Sequence, residues 1–581
     1  MNTWSLKRKI IFVISCLGFL SLALVLFPAV RIFIISITEN FLLHRKLEDP
    51  SKWHNLMLTW SIRGILFFAI IIFWMLWKQF KLLLGLAKRV IISLKQIKTI
   101  NEAIHSITEI NYKQFIKPVL IMFGVYTLGI SAIIRADFLY IDDIGRSIYG
   151  YRFSDWSRYI SNFLSIIIHT DARINDTSPL TQLIAAFLIA ASSVALVYVI
   201  NDGKITKTAL VASLPVGLSP FFLECFSWRF DSPYMALSVF ASIVPFIFVK
   251  NWFNFTVVSI LSLLVMCMTY QAASGIYIII VIMLCFHQLN MRQKTSREIF
   301  SFLGISTISY CLALILFRVF LMKPADHGYA STSFYPLQQL ITGVVHNIAY
   351  YKSNIEYDFN LIWKNILMFS GISFCAKSLI TTKQHKLCVF FISLAVIVLM
   401  AVLSLGVYIV LDRPNYILRY MLGFGIFIAI LGIYTAGSPK KVLVLPALAL
   451  CWCFYVFSFS YGNALTAQKI YIEFRTEMFL HDLAILYPER YREEQLPIQI
   501  IGWGGHAPII SNIAAKNPII TRLVPVYFVE NWIWGPIAMR HYNINFQQFE
   551  DNIDESEFEN IFNSMYHTIK SDGKQVLVYL K

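Results

Sequence analysis

Two adjacent carboxylates, Asp142 and Asp143, stand three and four residues before Arg146 in the run Arg135-Ala-Asp137-Phe-Leu-Tyr140-Ile-Asp142-Asp143-Ile-Gly145-Arg146-Ser-Ile-Tyr149-Gly150. If a helix starts near Asp142, Arg146 lies one turn on and faces both acids. A carboxylate steadied by a guanidinium suits general-base chemistry on an alcohol. The pair would also hold a hard divalent ion through its oxygens, although no partner set of the H-E-x-x-H kind accompanies it. Two acids at the positive end of a solvated helix are also an ordinary arrangement. The pair therefore needs support from the rest of the chain.

Other reactive side chains gather in the same way at the ends of apolar runs. Asp155-Trp156 follows the pair, and Glu224 precedes Trp228-Arg229-Phe230-Asp231-Ser232-Pro233. Glu224, near a membrane boundary, is expected to pair with Arg229, because a lone carboxylate there is costly. Tyr270-Gln271 and Asp412-Arg413-Pro414-Asn415 with Arg419 complete the set. Arg413 and Arg419 match phosphate geometry, with headgroup anchoring as the alternative. Lys323 and His327 are of the same kind, and Arg318 sits near a span end from which it can snorkel.

The elements that position these residues are membrane helices. Of 581 residues, 57% are hydrophobic and 14% charged, with a mean hydropathy of +0.64. Soluble domains carry about 25% charged residues. The chain reads as an α-helical polytopic membrane protein. Thirteen spans fall at 10–37, 57–77, 115–135, 180–200, 206–226, 233–249, 253–270, 272–288, 300–321, 361–379, 387–411, 416–436 and 442–460. The first follows Lys7-Arg8-Lys9 and is too long for a signal-peptide core, so it reads as a retained helix. With the N-terminus inside, Lys and Arg crowd the inner loops, as the positive-inside rule requires. That bias accounts for much of the net charge of +16 without nucleic acid. The nine cysteines lie in or beside apolar spans and read as packing residues.

Alternation from a cytoplasmic N-terminus puts every cluster named above on the outer face. No nucleotide is expected there, so an enzyme working on that face needs a donor of another kind. The chain divides into a two-span extension with a basic amphipathic segment (1–112), a membrane core (113–460) and a small external α/β domain (461–581). In that domain, strands are expected at 497–502 and 575–580, and a helix around Glu555, Glu559 and Tyr566. Gly502-Trp-Gly504-Gly505-His506 reads as a turn. The outer loop after the third span is long, and its run Phe163–Ile168 suggests a helix lying flat on the outer leaflet.

These motifs, in this order, resemble polyprenyl-phosphate-dependent glycosyltransferases of the GT-C fold, and among them the Gtr-type, serotype-converting O-antigen glucosyltransferases. The residues that carry the resemblance are Asp142-Asp143-x-x-Arg146-x-x-x-Gly150, Asp155-Trp156, Pro220 to Pro233 with Glu224, Tyr270-Gln271-Ala272 and Tyr461-Gly462-Asn463-Ala464-x-x-x-Gln468. It covers roughly 115–500. Two departures stand out: residues 1–112 precede the usual core, and a Pro-Leu element expected soon after Trp156 appears only at Pro179-Leu180.

The resemblance implies an enzyme of the bacterial inner membrane, with its C-terminal region in the periplasm. It would transfer a hexose, glucose by analogy, from undecaprenyl-phosphate-sugar to a lipid-linked O-antigen or related lipopolysaccharide glycan. Asp142 would be the general base of an inverting displacement, Asp143 would position the acceptor or a metal, and Arg146 would orient the pair. Arg413 or Arg419 would take the departing phosphate. Asp155, Trp156, Glu224, Arg229, Asp231, Tyr270 and Gln271 would line the substrate site. Trp503, Trp532 and Trp534 are candidate platforms for acceptor sugars. No cofactor is required, and a divalent metal remains open. The alternative is a transporter or flippase for a lipid-linked glycan, which should place ionisable residues at mid-membrane among paired broken helices. Here the charges cluster at the outer edge.

Overall fold

A computed structural model of the chain describes residues 112–153, 155–323, 332–487, 496–530, 532–542, 546–547 and 558–581. The expected spans 10–37 and 57–77, the basic segment 78–112 save its last residue, the cytoplasmic N-terminus and His327 lie outside them. Between 112 and 486 the described chain is mostly helix. Long runs of Leu, Ile, Val and Phe in a bilayer leave the backbone no water to bond, and a helix satisfies each N–H and C=O internally.

Six of these helices are long and apolar enough to cross a bilayer: Leu180–Ile200, Trp252–Thr269, Gln271–Asn290, Ser296–Leu321, Lys386–Leu403 and Lys441–Leu486. Two further pairs meet that test only together. Lys207–Leu218 and Pro220–Ser227 meet at 57°, and Leu337–Asp358 and Leu361–Thr381 at 119°. Helices stand at each of the eleven segments expected between 115 and 460, yet six to eight spans satisfy length and composition. The difference lies in short helices such as Lys113–Gly129, Ser232–Ile243 and Leu422–Ala436, which fall short of the roughly 20 residues a bilayer needs. Leu422–Ala436 is buried along its whole length. A helix apolar on every side belongs in the middle of a bundle.

The 42-residue helix Leu445–Leu486 is about 63 Å long at 1.5 Å per residue, roughly twice the hydrocarbon thickness. It runs unbroken through the division expected at 460/461, from apolar bundle to polar region. Gly462, near its middle, lies against the backbone of Ala132 and Ile133, where a Cβ would overlap main-chain atoms. Missing side chains are what let two helix backbones approach so closely.

Beyond this helix the chain forms a five-stranded sheet of order β2-β1-β5-β4-β3. The strands are β1 (Leu496–Ile501), β2 (Phe546–Gln547), β3 (Glu559–Asn563), β4 (His567–Ser571) and β5 (Val576–Leu580). β1 and β5, the two strands expected, pair in parallel with Ile498 opposite Val576. Of the helix expected around Glu555, Glu559 and Tyr566, Glu555 lies outside the described residues, and the part from Glu559 on is instead the antiparallel pair β3–β4. In β4, His567, Ile569 and Ser571 alternate inward, a strand period that pairing with β5 enforces over helical spacing. The sheet has a small core of its own around Leu483, Ile500, Ile569 and Val578. The segment from Ala507 to Tyr527, by contrast, belongs to the main helical core. Gly502 and Gly505 adopt positive φ, as their expected turn demands.

The packing at Gly462 can be tested. Overfilling a tight contact costs about 1–3 kcal/mol, so Gly462→Ala should lower the thermal midpoint of the detergent-solubilised protein by several degrees. Gly304→Ala, with no atom within 4 Å of the added Cβ, should leave it unchanged or raise it. Equal midpoints for the two variants would contradict the close approach.

Candidate active site

The acidic pair opens the helix Asp142–Tyr149. The chain reaches it through two left-handed residues, Asp137 (φ 47°) and Ile141 (φ 49°). Positive φ is unusual for a β-branched side chain and persists only where surrounding contacts impose it. Those contacts come from the C-terminal region. Tyr140 Oη donates to the Leu523 carbonyl at 2.9 Å, and the Tyr527 hydroxyl accepts the Ile141 N–H at 3.4 Å while donating to the Leu139 carbonyl. At the far end Gly150 closes the helix at φ 67°, with Arg173 where a Cβ would lie.

Within this helix the two carboxylates part company. Asp143 is wholly buried, and its Oδ2 accepts the backbone N–H groups of Arg229 at 2.9 Å and Tyr140 at 3.3 Å. Its Oδ1 lies 3.5 Å from the Phe230 nitrogen. Burial, reinforced by the charge of Asp231 and opposed by Arg146, pushes its pKa up to about 8. Asp143, expected to position the acceptor or a metal, fastens the helix to the Trp228–Pro233 loop and does not line the cavity. Asp142 keeps 39% of its side chain open and lines the cavity. Burial also raises its pKa, against the pull of Arg146. Among the described residues no three His, Cys, Asp or Glu side chains gather as a ligand set.

The ion pairs differ from those read from spacing. Arg146 binds Asp231 directly and reaches Asp142 at 4.0 Å, with no pair to Asp143. Arg158, two residues past Trp156, joins Asp231 at 3.3 Å and lies 5.1 Å from the Tyr270 ring centre. Glu224 pairs with Arg419 at 2.6 Å, not with Arg229. Arg419 also donates its backbone N–H to Glu224 at 2.8 Å and stacks 4.1 Å from the Trp228 ring centre. Arg229 instead bridges Asp137 and Asp176, the latter at 2.6 Å.

These residues surround a cavity of about 700 Å³. Of the expected site residues, Asp142, Arg146, Trp156, Asp231, Tyr270, Gln271, Arg413 and Arg419 line it, whereas Asp143, Glu224 and Arg229 stand behind. Asp155 starts a short turn, Asp155–Ser157, in which Trp156 takes φ 58° and its carbonyl accepts Gln271 Nε2 at 2.9 Å. The Asp155 side chain lies outside the described residues. Trp534 lines the cavity too, whereas Trp503 is exposed and Trp532 packs on the core. Tyr151, Phe153, Arg158 and Arg318, none of them expected in the site, also form the wall, together with Lys323, which was expected as a cation of the same kind as Arg413 and Arg419. The signal for the first two was the aromatic interleaving that ends the acidic helix; Arg146 lies 4.6 Å from the Phe153 ring centre. Among the described residues, seven cationic side chains face the cavity against two carboxylates.

The expected flat helix is Tyr159–His169, with Ser161, Ser165 and His169 inward and Phe163 and Ile167 outward. Its outer face is apolar, as a helix resting on lipid requires.

The family model described as Glucosyl transferase GtrII matches residues 131–430, which includes the acidic helix and Arg419. A Salmonella phage P22 protein, described as an uncharacterized 55.3 kDa protein in the gtrB 5′ region, is 24% identical over 454 residues, covering 71% of this chain and 88% of its own. No solved structure matches the chain.

The state of Asp143 has a measurable consequence. Its folded-state pKa of about 8 stands above the ordinary 3.8, so the folded protein holds this proton more tightly than the unfolded chain. Its contribution is full below pH 3.8 and is lost as pH rises through 8. Asp143→Asn, which mimics the protonated acid, should flatten the fall in thermal midpoint between pH 5 and 8. An identical pH dependence in both proteins would contradict the assignment.

Proposed function

The chain belongs to the GtrII glucosyl transferase family, and we propose that it moves a glucosyl unit from undecaprenyl-phosphate-sugar to a lipid-linked O-antigen or related surface glycan. The setting is the bacterial inner membrane, with the cavity and the C-terminal region facing the periplasm and the N-terminus in the cytoplasm. The Lys and Arg bias of the inner loops supports that orientation.

One observation carries the chemistry: Asp142 alone of the acidic pair opens a carboxylate into the basic cavity. The other acid of the wall, Asp231, has both oxygens engaged by guanidinium groups, Oδ2 by Arg146 and Oδ1 by Arg158. Asp142, as general base, takes the proton of the acceptor hydroxyl as its oxygen bonds to the anomeric carbon. The bond from that carbon to the phosphate oxygen breaks on the opposite face, and the lipid phosphate leaves with the electron pair. One displacement inverts the anomeric centre. Burial raises the pKa of Asp142 and so strengthens it as a base, provided pH stays above that value. Phosphate is a tolerable leaving group, so this route requires no metal. Trp534 and Tyr151, both in the wall beside the acidic helix, offer flat faces to the acceptor sugars.

The test is sugar transfer by membranes supplied with radiolabelled undecaprenyl-phosphate-glucose and a lipid-linked O-antigen acceptor. Asp142→Asn should lose about 10²- to 10⁴-fold of the rate while inserting normally, and Asp143→Asn should retain most of it. Transfer unaffected by Asp142→Asn would sink the base assignment, and no transfer by the wild type would sink the proposed reaction.

A further inference from the structure

We infer that Arg318 and Lys323, rather than Arg419, form the seat for the phosphate of a long-chain lipid phosphate. The inference rests on the transferase reading above, and its argument is one of uncancelled charge. Of the seven cations on the wall, Arg146 and Arg158 share Asp231, and Arg419 is matched by Glu224. Arg413 has a partner of its own. Arg318 meets only neutral groups among the described residues: it donates to the Thr332 carbonyl at 3.3 Å and to Met322 Sδ at 3.1 Å, and lies 5.0 Å from the Phe334 ring centre. The Lys323 side chain is exposed and makes no ion pair with a described carboxylate, while its backbone N–H donates to Ser157 Oγ at 2.8 Å. That bond holds the lysine beside Trp156 of the cavity wall. Arg152 also lacks a described carboxylate partner, but it sits between Tyr151 and Phe153 in the loop leaving the acidic helix.

A second observation separates Arg318 and Lys323 from Arg152. The helix from Ser296 ends in a single π-turn, Phe317–Leu321, closed by the Met322 N–H on the Phe317 carbonyl at 2.8 Å. Such turns are rare and concentrate at functional sites. Ile315 and Val319 line the cavity while 57% and 65% exposed, and Phe320 beside them is 74% exposed. Here the cavity is continuous with an outward apolar surface, in a helix apolar enough to cross a bilayer. The same turn thus offers positive charge to the cavity and hydrocarbon to the outside. A phosphate ester of a long isoprenoid chain uses both. A nucleotide would set a polar sugar and base against Ile315 and Val319, and free phosphate would leave that surface unused.

The experiment is equilibrium binding to the full chain in nanodiscs, with undecaprenyl phosphate, undecaprenol and inorganic phosphate as probes. The wild type should bind undecaprenyl phosphate at least tenfold more tightly than undecaprenol. An R318Q/K323Q variant should lose about 10- to 100-fold for the phosphate, as the removal of charge-assisted hydrogen bonds implies, and none for undecaprenol. Both side chains are exposed, so neither change disturbs the buried core, and Arg318→Lys should recover part of the loss. Unchanged affinity in the double variant, equal binding of undecaprenol by the wild type, or displacement of the lipid by millimolar inorganic phosphate would each overturn the seat. Because binding is read without turnover, a wild type that binds the lipid but transfers no sugar would overturn the transferase reading alone.

Discussion

Asp231 is a buried carboxylate that receives two guanidinium groups, and the geometry of the site hangs on it. Through Arg146 it holds the acidic helix, through Arg158 the start of the helix Tyr159–His169, and through its own backbone the Trp228–Pro233 loop. Burying such charges is unfavourable unless each is matched, and removing one partner of a buried pair costs about 3–5 kcal/mol. The arrangement therefore specifies one relative placement of three segments distant in sequence. It also engages both oxygens of Asp231 and occupies Arg146, which leaves Asp142 as the carboxylate of the wall with open oxygens.

A second constraint acts from the other side. Tyr140 and the left-handed Ile141 before the acidic helix are held by Leu523 and Tyr527, far along the chain, and Trp534 lies against Gly145 within the helix. The C-terminal region is thus part of the wall of the site. Its segment Ala507–Tyr527 shares the core of the bundle, and the helix Leu445–Leu486 ties the two together covalently. The proposed acceptor platform at Trp534 and the placement of the acidic helix thus depend on one another, so changes in one region should be felt in the other.

Hydropathy located the helices, because a bilayer leaves the backbone few alternatives, and the acid-rich start of a helix at Asp142 followed from local spacing. Which of two adjacent aspartates opens to the cavity was not legible. Successive helix positions differ by about 100°, and only the packing of the helix decides which faces inward. Ion-pair partners were misread for a related reason: Arg229 is five residues from Glu224, whereas Arg419, its true partner, lies 195 away. The bend before Pro220 falls inside the single span expected at 206–226, although proline removes a backbone donor. The β3–β4 pair was not legible either, because its inward positions acquire meaning only against β5. Arg318 looked like a snorkelling residue at a span end; its place in the wall depends on a π-turn that no sequence periodicity marks.

The central claim is that Asp142 acts as a base and not as a nucleophile. A single displacement driven by a base inverts the anomeric centre, whereas a carboxylate nucleophile forms a glycosyl-enzyme bond and the second displacement restores the original configuration. The most direct measurement is the anomeric configuration of the transferred sugar, read by proton and carbon NMR on product formed from a donor of known configuration. The account predicts clean inversion. Retention would contradict it, since Asp142 would then have attacked the sugar itself.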